Sequence, residues 1–234
     1  MLLPIRDDNP TRRFPIVTIA LVAINIAIYI YTLTLPGQQA LAELYNRYAL
    51  FPKAIVTGHP VVSNQIQPVY LSLFTSMFLH DSPLPLHVGF NMLFLWIFGN
   101  NVEDVFGRFK YIIFYLFAGI AGSLLQIAID PNSTIPNIGA SGAVSGVLAA
   151  YLILFPSARV LTVIPIIFFF TVVRIPAIVV IGFWFLLQVF SAFFGMGGAA
   201  SGGVAYFAHI GGFAAGLLMT LFIPRHKHRL PQQF

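Results

Sequence analysis

The chain has no cysteine in its 234 residues. That absence excludes disulfide frameworks, thiolate nucleophiles and Cys-ligated metals, while leaving the compartment open. Charge is scarce too: 8% of residues are Asp, Glu, Lys or Arg, against about 25% in a soluble domain. Acidic residues number seven, and no aspartate lies inside an apolar run, so a paired-aspartate active site is excluded. The zinc-binding pattern H-E-x-x-H is missing as well. Neither a metal nor a cofactor is expected. What the chain has in abundance is apolar surface: 58% of residues are hydrophobic. This composition is that of an integral membrane protein with no large soluble domain. The net charge of +5 comes from bases that punctuate apolar segments instead of clustering on one aqueous face. Nucleic acid is therefore not an expected partner, whereas membrane lipids are.

Six apolar segments read as spans, at about 14–35, 86–105, 111–129, 139–156, 175–194 and 204–223. They define a membrane domain over 14–224, preceded by a short segment, 1–13, and followed by a basic tail, 225–234. The first run is too long for a signal-peptide core and lacks a small-residue cleavage site, so it reads as an anchor. With six spans and a cytoplasmic N-terminus, ten of the twelve basic residues fall inside: Arg6, Arg12, Arg13, Arg108, Lys110, Arg159, Arg174, Arg225, Lys227 and Arg229. Only Arg47 and Lys53 fall outside. This asymmetry places both termini in the cytoplasm. The expected fold class is thus an all-α polytopic membrane protein, a bundle of six transmembrane helices. Val160–Val173 is apolar but holds fourteen residues, which as a helix cover about 21 Å of a core about 30 Å thick. It contains Pro165 and is bracketed by arginines, and it reads as a hairpin or interfacial segment on the cytoplasmic side.

Polar residues inside spans are functional hypotheses by default. The second, fourth and sixth spans run from outside to inside. They carry His87 and Asn91, Ser141, and His209, respectively. Counting back from Arg108, Arg159 and Arg225 puts Asn91, Ser141 and His209 about 26, 27 and 24 Å above the inner face. Three separate helices thus bring asparagine, serine and histidine to one level. A serine hydroxyl is a poor nucleophile until a base removes its proton, and histidine is the usual base. No carboxylate lies at this level, so a Ser141–His209 dyad is expected in place of a triad. His87 and Asn91, spaced i, i+4, share a helix face. With the backbone N–H of Ser141, which lies in the first turn of its helix, they are candidate donors to an oxyanion. Small residues repeat every fourth position at Gly142, Gly146 and Ala150 and at Ala208, Gly212 and Gly216, the pattern of closely packed transmembrane helices.

These residues carry a resemblance. Gly139-Ala140-Ser141-Gly142, Ala208-His209-Ile210-Gly211-Gly212 with Gly216, His87-x-x-x-Asn91, and Gly99-x-x-x-Glu103-x-x-x-Gly107 are similar to the motifs of rhomboid intramembrane serine proteases, and the likeness runs along nearly the whole chain. It implies Ser141 as nucleophile, His209 as base, His87, Asn91 and the Ser141 N–H as oxyanion donors, and a structural role for Glu103, Gly139, Gly142, Gly212 and Gly216. It implies transmembrane proteins as substrates, cleaved near the outer membrane face. A non-proteolytic escort scaffold of the same fold is the alternative. The expected location is the inner (cell) membrane of a prokaryote. Two departures stand out. The position one turn after the nucleophile, aromatic in some bacterial members, is Ser145, which loosens the support expected for the histidine. The Trp-Arg pair that some members carry in the first loop is missing. The first loop (36–85) and the glycine-rich segment 195–203 are candidates to cover the site, with the fifth span as a lateral gate.

Overall fold

The structure, a computed structural model, describes residues 2–81, 85–166, 169–194 and 204–223. The segment 195–203 and the basic tail lie outside the described residues.

Apolar runs become helices: α1 (Ile16–Thr34), α5 (Leu86–Phe106), α6 (Arg108–Ile129), α7 (Ser141–Leu154), α8 (Ala177–Phe193) and α9 (Tyr206–Phe222). Of these, α1 and α6 have both the length and the composition to cross a bilayer by that measure alone. With fourteen residues, α7 is no longer than the Val160–Val173 segment, but ten of them, Gly142 to Tyr151, are buried. It is the central helix, walled in by its neighbours. The first loop is not structureless. It folds into α2 (Gly37–Tyr48), α3 (Pro52–Thr57) and α4 (Ser72–Thr75) around a second small core of Ala49, Phe51, Ala54, Val69 and Leu79. Paired backbone at Leu50 and Asn137 ties this folded loop to the loop between α6 and α7.

The all-α expectation is corrected by a three-stranded antiparallel sheet in the order β1 (Leu3–Asp7), β2 (Arg159–Ile166), β3 (Phe169–Pro176). The β2–β3 register runs from Arg159 opposite Pro176 to Ile166 opposite Phe169. Both strands are rich in Val, Ile and Thr, whose branched side chains fit a pleated surface better than a helix. Pro165 would also break a helix drawn through this segment. Pairing with β1 covers one edge of the hairpin.

Carboxylates fasten this sheet end to the helices. The N-terminus of α1 follows Pro15 and has no capping side chain of its own. Its cap comes from Glu103 on α5, which accepts the backbone N–H of Val17 (3.0 Å) and both the N–H (2.8 Å) and the hydroxyl (2.8 Å) of Thr18. A buried carboxylate at a helix N-terminus satisfies orphan donors and complements the helix dipole. Asp104 accepts the Arg12 N–H at 3.0 Å. In β1, Asp7 accepts from the Asn101 amide (2.8 Å) and the Tyr151 hydroxyl (2.7 Å), joining the strand to the ends of α5 and α7. Asp8 pairs with Arg174 of β3 at 2.9 Å.

Two outcomes follow from this end of the molecule. Glu103→Ala strands the Val17 and Thr18 N–H groups and leaves the Thr18 hydroxyl only Tyr111, and at about 1–3 kcal/mol for buried groups that lose a charged partner it should lower the melting temperature in detergent by several degrees; an unchanged melt would remove Glu103 from its capping role. Burial raises the Asp7 pKa from 3.8 to about 6, so folding takes up a proton between those values. The stability this group contributes is full below about pH 4 and is lost as pH rises through about 6. The melting temperature should fall over that interval in the parent but not in Asp7→Asn, which keeps the acceptor oxygen. Parallel profiles would refute the linkage.

Candidate active site

Ser141 opens α7 immediately after a tight turn at Gly139, whose φ of +123° is a conformation that side-chain-bearing residues rarely adopt. The turn is held by the Gly139 N–H donating to the Ser76 carbonyl at 2.9 Å. Helices α7 and α9 then run side by side in the same direction. Gly212 lies on the backbone of Gly142, and four residues further along both helices Gly216 lies on Gly146, where an added Cβ would stand 2.5 Å from the Gly146 carbonyl oxygen. From the other side α6 closes on both: Gly122 meets the Ala208 carbonyl, and Ala118 meets Gly146.

This packing brings Ser141 Oγ and His209 Nε2 to 2.7 Å. The other ring nitrogen, Nδ1, lies 2.7 Å from Gln188 Oε1 on α8. The Gln188 Nε2 donates to the Trp184 carbonyl one turn back, at 3.4 Å, so its oxygen is the atom turned to the histidine. An amide oxygen only accepts, so Nδ1 carries the proton and Nε2 presents its lone pair to the serine hydroxyl. The ring of His209 is flanked by Trp184, 6.0 Å away between centroids, and Tyr206, at 6.2 Å.

His87 Nδ1 accepts the Asp81 N–H at 3.4 Å, which leaves its proton on Nε2. A Cβ placed on Gly139 would stand 2.7 Å from that Nε2 and 3.7 Å from Ser141 Oγ, so the glycine's missing side chain is the space that the two groups share. Asn91 lies one turn further along the same face of α5 and uses one of its two amide hydrogens on the His87 carbonyl at 3.0 Å. His80 is fully buried and meets the His87 ring edge-on at 5.0 Å, while its carbonyl accepts from Tyr45. It packs against the start of α5, where His87 lies. A cavity of about 30 Å³, lined by Ser76, Ser123, Asn137, Ser141 and Ala208 among others, adjoins the serine and is large enough for a water molecule.

The count of residues to the inner arginines is an imperfect ruler for the height of the pair. Helix α7 ends at Leu154, and Arg159 lies beyond a turn, in β2, so the eighteen residues behind the 27 Å height are not one helix. Arg225 lies outside the described residues. Register along α7 and α9 is what aligns the pair. Gln188 was missed altogether: a single amide in an apolar helix has no motif, and its only signal is its polarity in such surroundings.

Fold and site together define a predominantly helical protein in which a serine and a histidine on adjacent helices are hydrogen-bonded. Residues 67–226 match the family model for the Rhomboid domain. The chain is 30% identical over 222 residues to Rhomboid protein 1, mitochondrial, of Saccharomyces cerevisiae, covering 92% of this chain and 55% of the yeast protein. It is 41% identical over 76 residues to Rhomboid protease GluP of Bacillus subtilis, covering 30% of this chain and 14% of that protein. With the human Presenilin-associated rhomboid-like protein, mitochondrial, identity is 28% over 117 residues, covering 49% and 29%. The chain belongs to the rhomboid family. It spans about half the length of the yeast relative and less of the other two.

A side chain at Gly212 has nowhere to go except into the backbone of Gly142. Gly212→Val is expected to part α7 from α9, lowering the melting temperature and abolishing labelling of Ser141 by a fluorophosphonate in the otherwise unchanged protein. Full labelling would show that the seam does not set the pair.

Proposed function

We propose that this chain is an intramembrane serine endopeptidase that hydrolyses peptide bonds of transmembrane substrates near the outer membrane face. The observation that carries this reading is the 2.7 Å contact between Ser141 Oγ and His209 Nε2, with the base already in the tautomer that can accept the serine proton. As Oγ attacks the scissile carbonyl carbon, Nε2 takes its proton and the carbonyl oxygen becomes an oxyanion. The Ser141 N–H, His87 Nε2–H and the second Asn91 amide hydrogen are the donors assigned to it. The imidazolium then protonates the departing amine. Water attacks the acyl-enzyme by the same route in reverse, releasing the acid and restoring Ser141.

In this reading the chain crosses the membrane six times with both termini in the cytoplasm. The sheet lies at the inner face, beside Arg6, Arg12, Arg13, Arg108, Lys110, Arg159 and Arg174, and Ser141 lies at the far end of α7. Fourteen helical residues rise about 21 Å, so a serine at the top of α7 is sunk below the outer surface of a core about 30 Å thick. Transmembrane proteins are the proposed substrates and lipids the surroundings. The prokaryotic inner membrane is one setting; the relatives' names divide between mitochondria and a bacterium's protease. A non-proteolytic escort would have no use for an intact, hydrogen-bonded serine and histidine, which favours the enzyme.

Reconstitution with a transmembrane substrate tests the proposal. Ser141→Ala and His209→Ala should each lower kcat/KM by about 10³-fold or more, and a fluorophosphonate should label Ser141 only when His209 is present. Cleavage undiminished in either variant would refute the dyad.

A further inference from the structure

In this chain the support of the base comes from α8. The residue one turn after the nucleophile, Ser145, turns its hydroxyl to the Ser141 carbonyl at 2.6 Å and offers His209 nothing. Trp184 and Gln188, one turn apart on α8, instead meet His209 as ring neighbour and as hydrogen-bond acceptor. We propose that Gln188 is a positioning residue that holds His209 in its Nδ1–H tautomer, and that by residing on α8 it makes the dyad ready only while α8 is packed against α9. This rests on the Ser141–His209 reading above.

The chemistry favours an amide here. A neutral imidazole can place its proton on either nitrogen, and a proton on Nε2 would face Ser141 with a donor where a lone pair is needed. A buried carboxylate would fix the tautomer but at a large desolvation cost inside a membrane. The amide oxygen fixes it while remaining uncharged, and its partial negative charge faces Nδ1–H when the ring becomes an imidazolium.

The packing makes that control conditional. Helix α8 is buried only near its start, at Ala177, Val180 and Ile181. Its outer part is held by side chains: the Phe185–Phe213 stack at 4.0 Å, the tilted Phe94–Trp184 contact at 6.3 Å, and the Gln188–His209 bond. By contrast, α7 and α9 touch backbone to backbone. Outward movement of α8 therefore breaks the Gln188–His209 bond and leaves Ser141 and His209 together. The serine would keep its partner but lose control over where that partner carries its proton.

The test uses the full chain in lipid or detergent and two readouts, cleavage kinetics and the tautomer of His209. The tautomer is read from ¹⁵N–¹H spectra of histidine-labelled protein, with His209→Ala identifying the signal. Gln188→Met keeps length and apolar packing but lacks the oxygen, whereas Gln188→Glu keeps an oxygen. In Gln188→Met, kcat should fall by about 10–100-fold with KM within about twofold, and the Nδ1–H signal should give way to a mixture of tautomers. Gln188→Glu should retain the Nδ1–H tautomer and most of kcat. Phe185→Ala, which removes the stack that holds α8 without altering the Gln188 side chain, should mix the tautomers as Gln188→Met does. Wild-type kcat or an unchanged tautomer in Gln188→Met overturns the positioning role, as does a Gln188→Glu protein as impaired as Gln188→Met. An unchanged tautomer in Phe185→Ala overturns the dependence on α8. The tautomer is also readable in Ser141→Ala, so absence of proteolysis in the parent, which would count against the proposed function, leaves this inference separately decidable.

Discussion

The structure depends on one constraint, the contact of α7 with α9 through glycine backbones. In lipid there is no hydrophobic force to press helices together, since the surroundings are as apolar as the side chains. Association rests on close van der Waals contact and on polar groups that find partners. Gly142 with Gly212, and Gly146 with Gly216, give the first. The Ser141–His209 bond is the second. The same seam therefore holds the bundle together and sets the distance between Ser141 and His209. The polar pair sits at the end of the seam where α7 begins, and a helix N-terminus exposes unpaired N–H groups there, beside Ser141.

The opposite end is organised by charge. Glu103, Asp104, Asp7 and Asp8 account for four of the seven acidic residues. Each receives a donor from a segment distant in sequence: the start of α1, the Arg12 backbone, the ends of α5 and α7, and β3. A chain with so few carboxylates concentrates them where helices must be terminated and a sheet must be anchored. These four carboxylates lie at the other end of the molecule from the serine, where a buried negative charge would be costly.

Some of this was legible in the residues and some was not. Helix limits lie within about three residues of the apolar runs, because a hydrophobic segment in lipid must satisfy its own backbone and a helix does so within itself. Ser141, His209, His87 and Gly139 lie together because glycine spacing and i, i+4 spacing are local statements about helix faces. The sheet was half legible. Val160–Val173 was too short and too proline-bearing for a spanning helix, but no periodicity reveals that its edge is paired by Leu3–Asp7 from the far end of the chain. The first-loop helices were hidden for a different reason: α2 buries none of its residues, so it shows no long apolar run. Gln188 was hidden because its role depends on the rotation of α8 and its crossing with α9, neither of which sequence spacing encodes.

An amide in place of an acid beside His209 and a serine in place of an aromatic one turn after Ser141 then have one explanation. A serine-histidine pair needs something to fix the ring and to choose its tautomer; a soluble site can use a carboxylate, because the surrounding water and dipoles offset its charge. Here Trp184 and Tyr206 flank the ring, and the oxygen of Gln188 faces Nδ1. None of the three carries a formal charge, and two of them belong to α8, a helix bound to the bundle mainly by side-chain contacts along its outer part. A site built without charge draws its order from packing, and so becomes sensitive to the position of whichever helix supplies that packing.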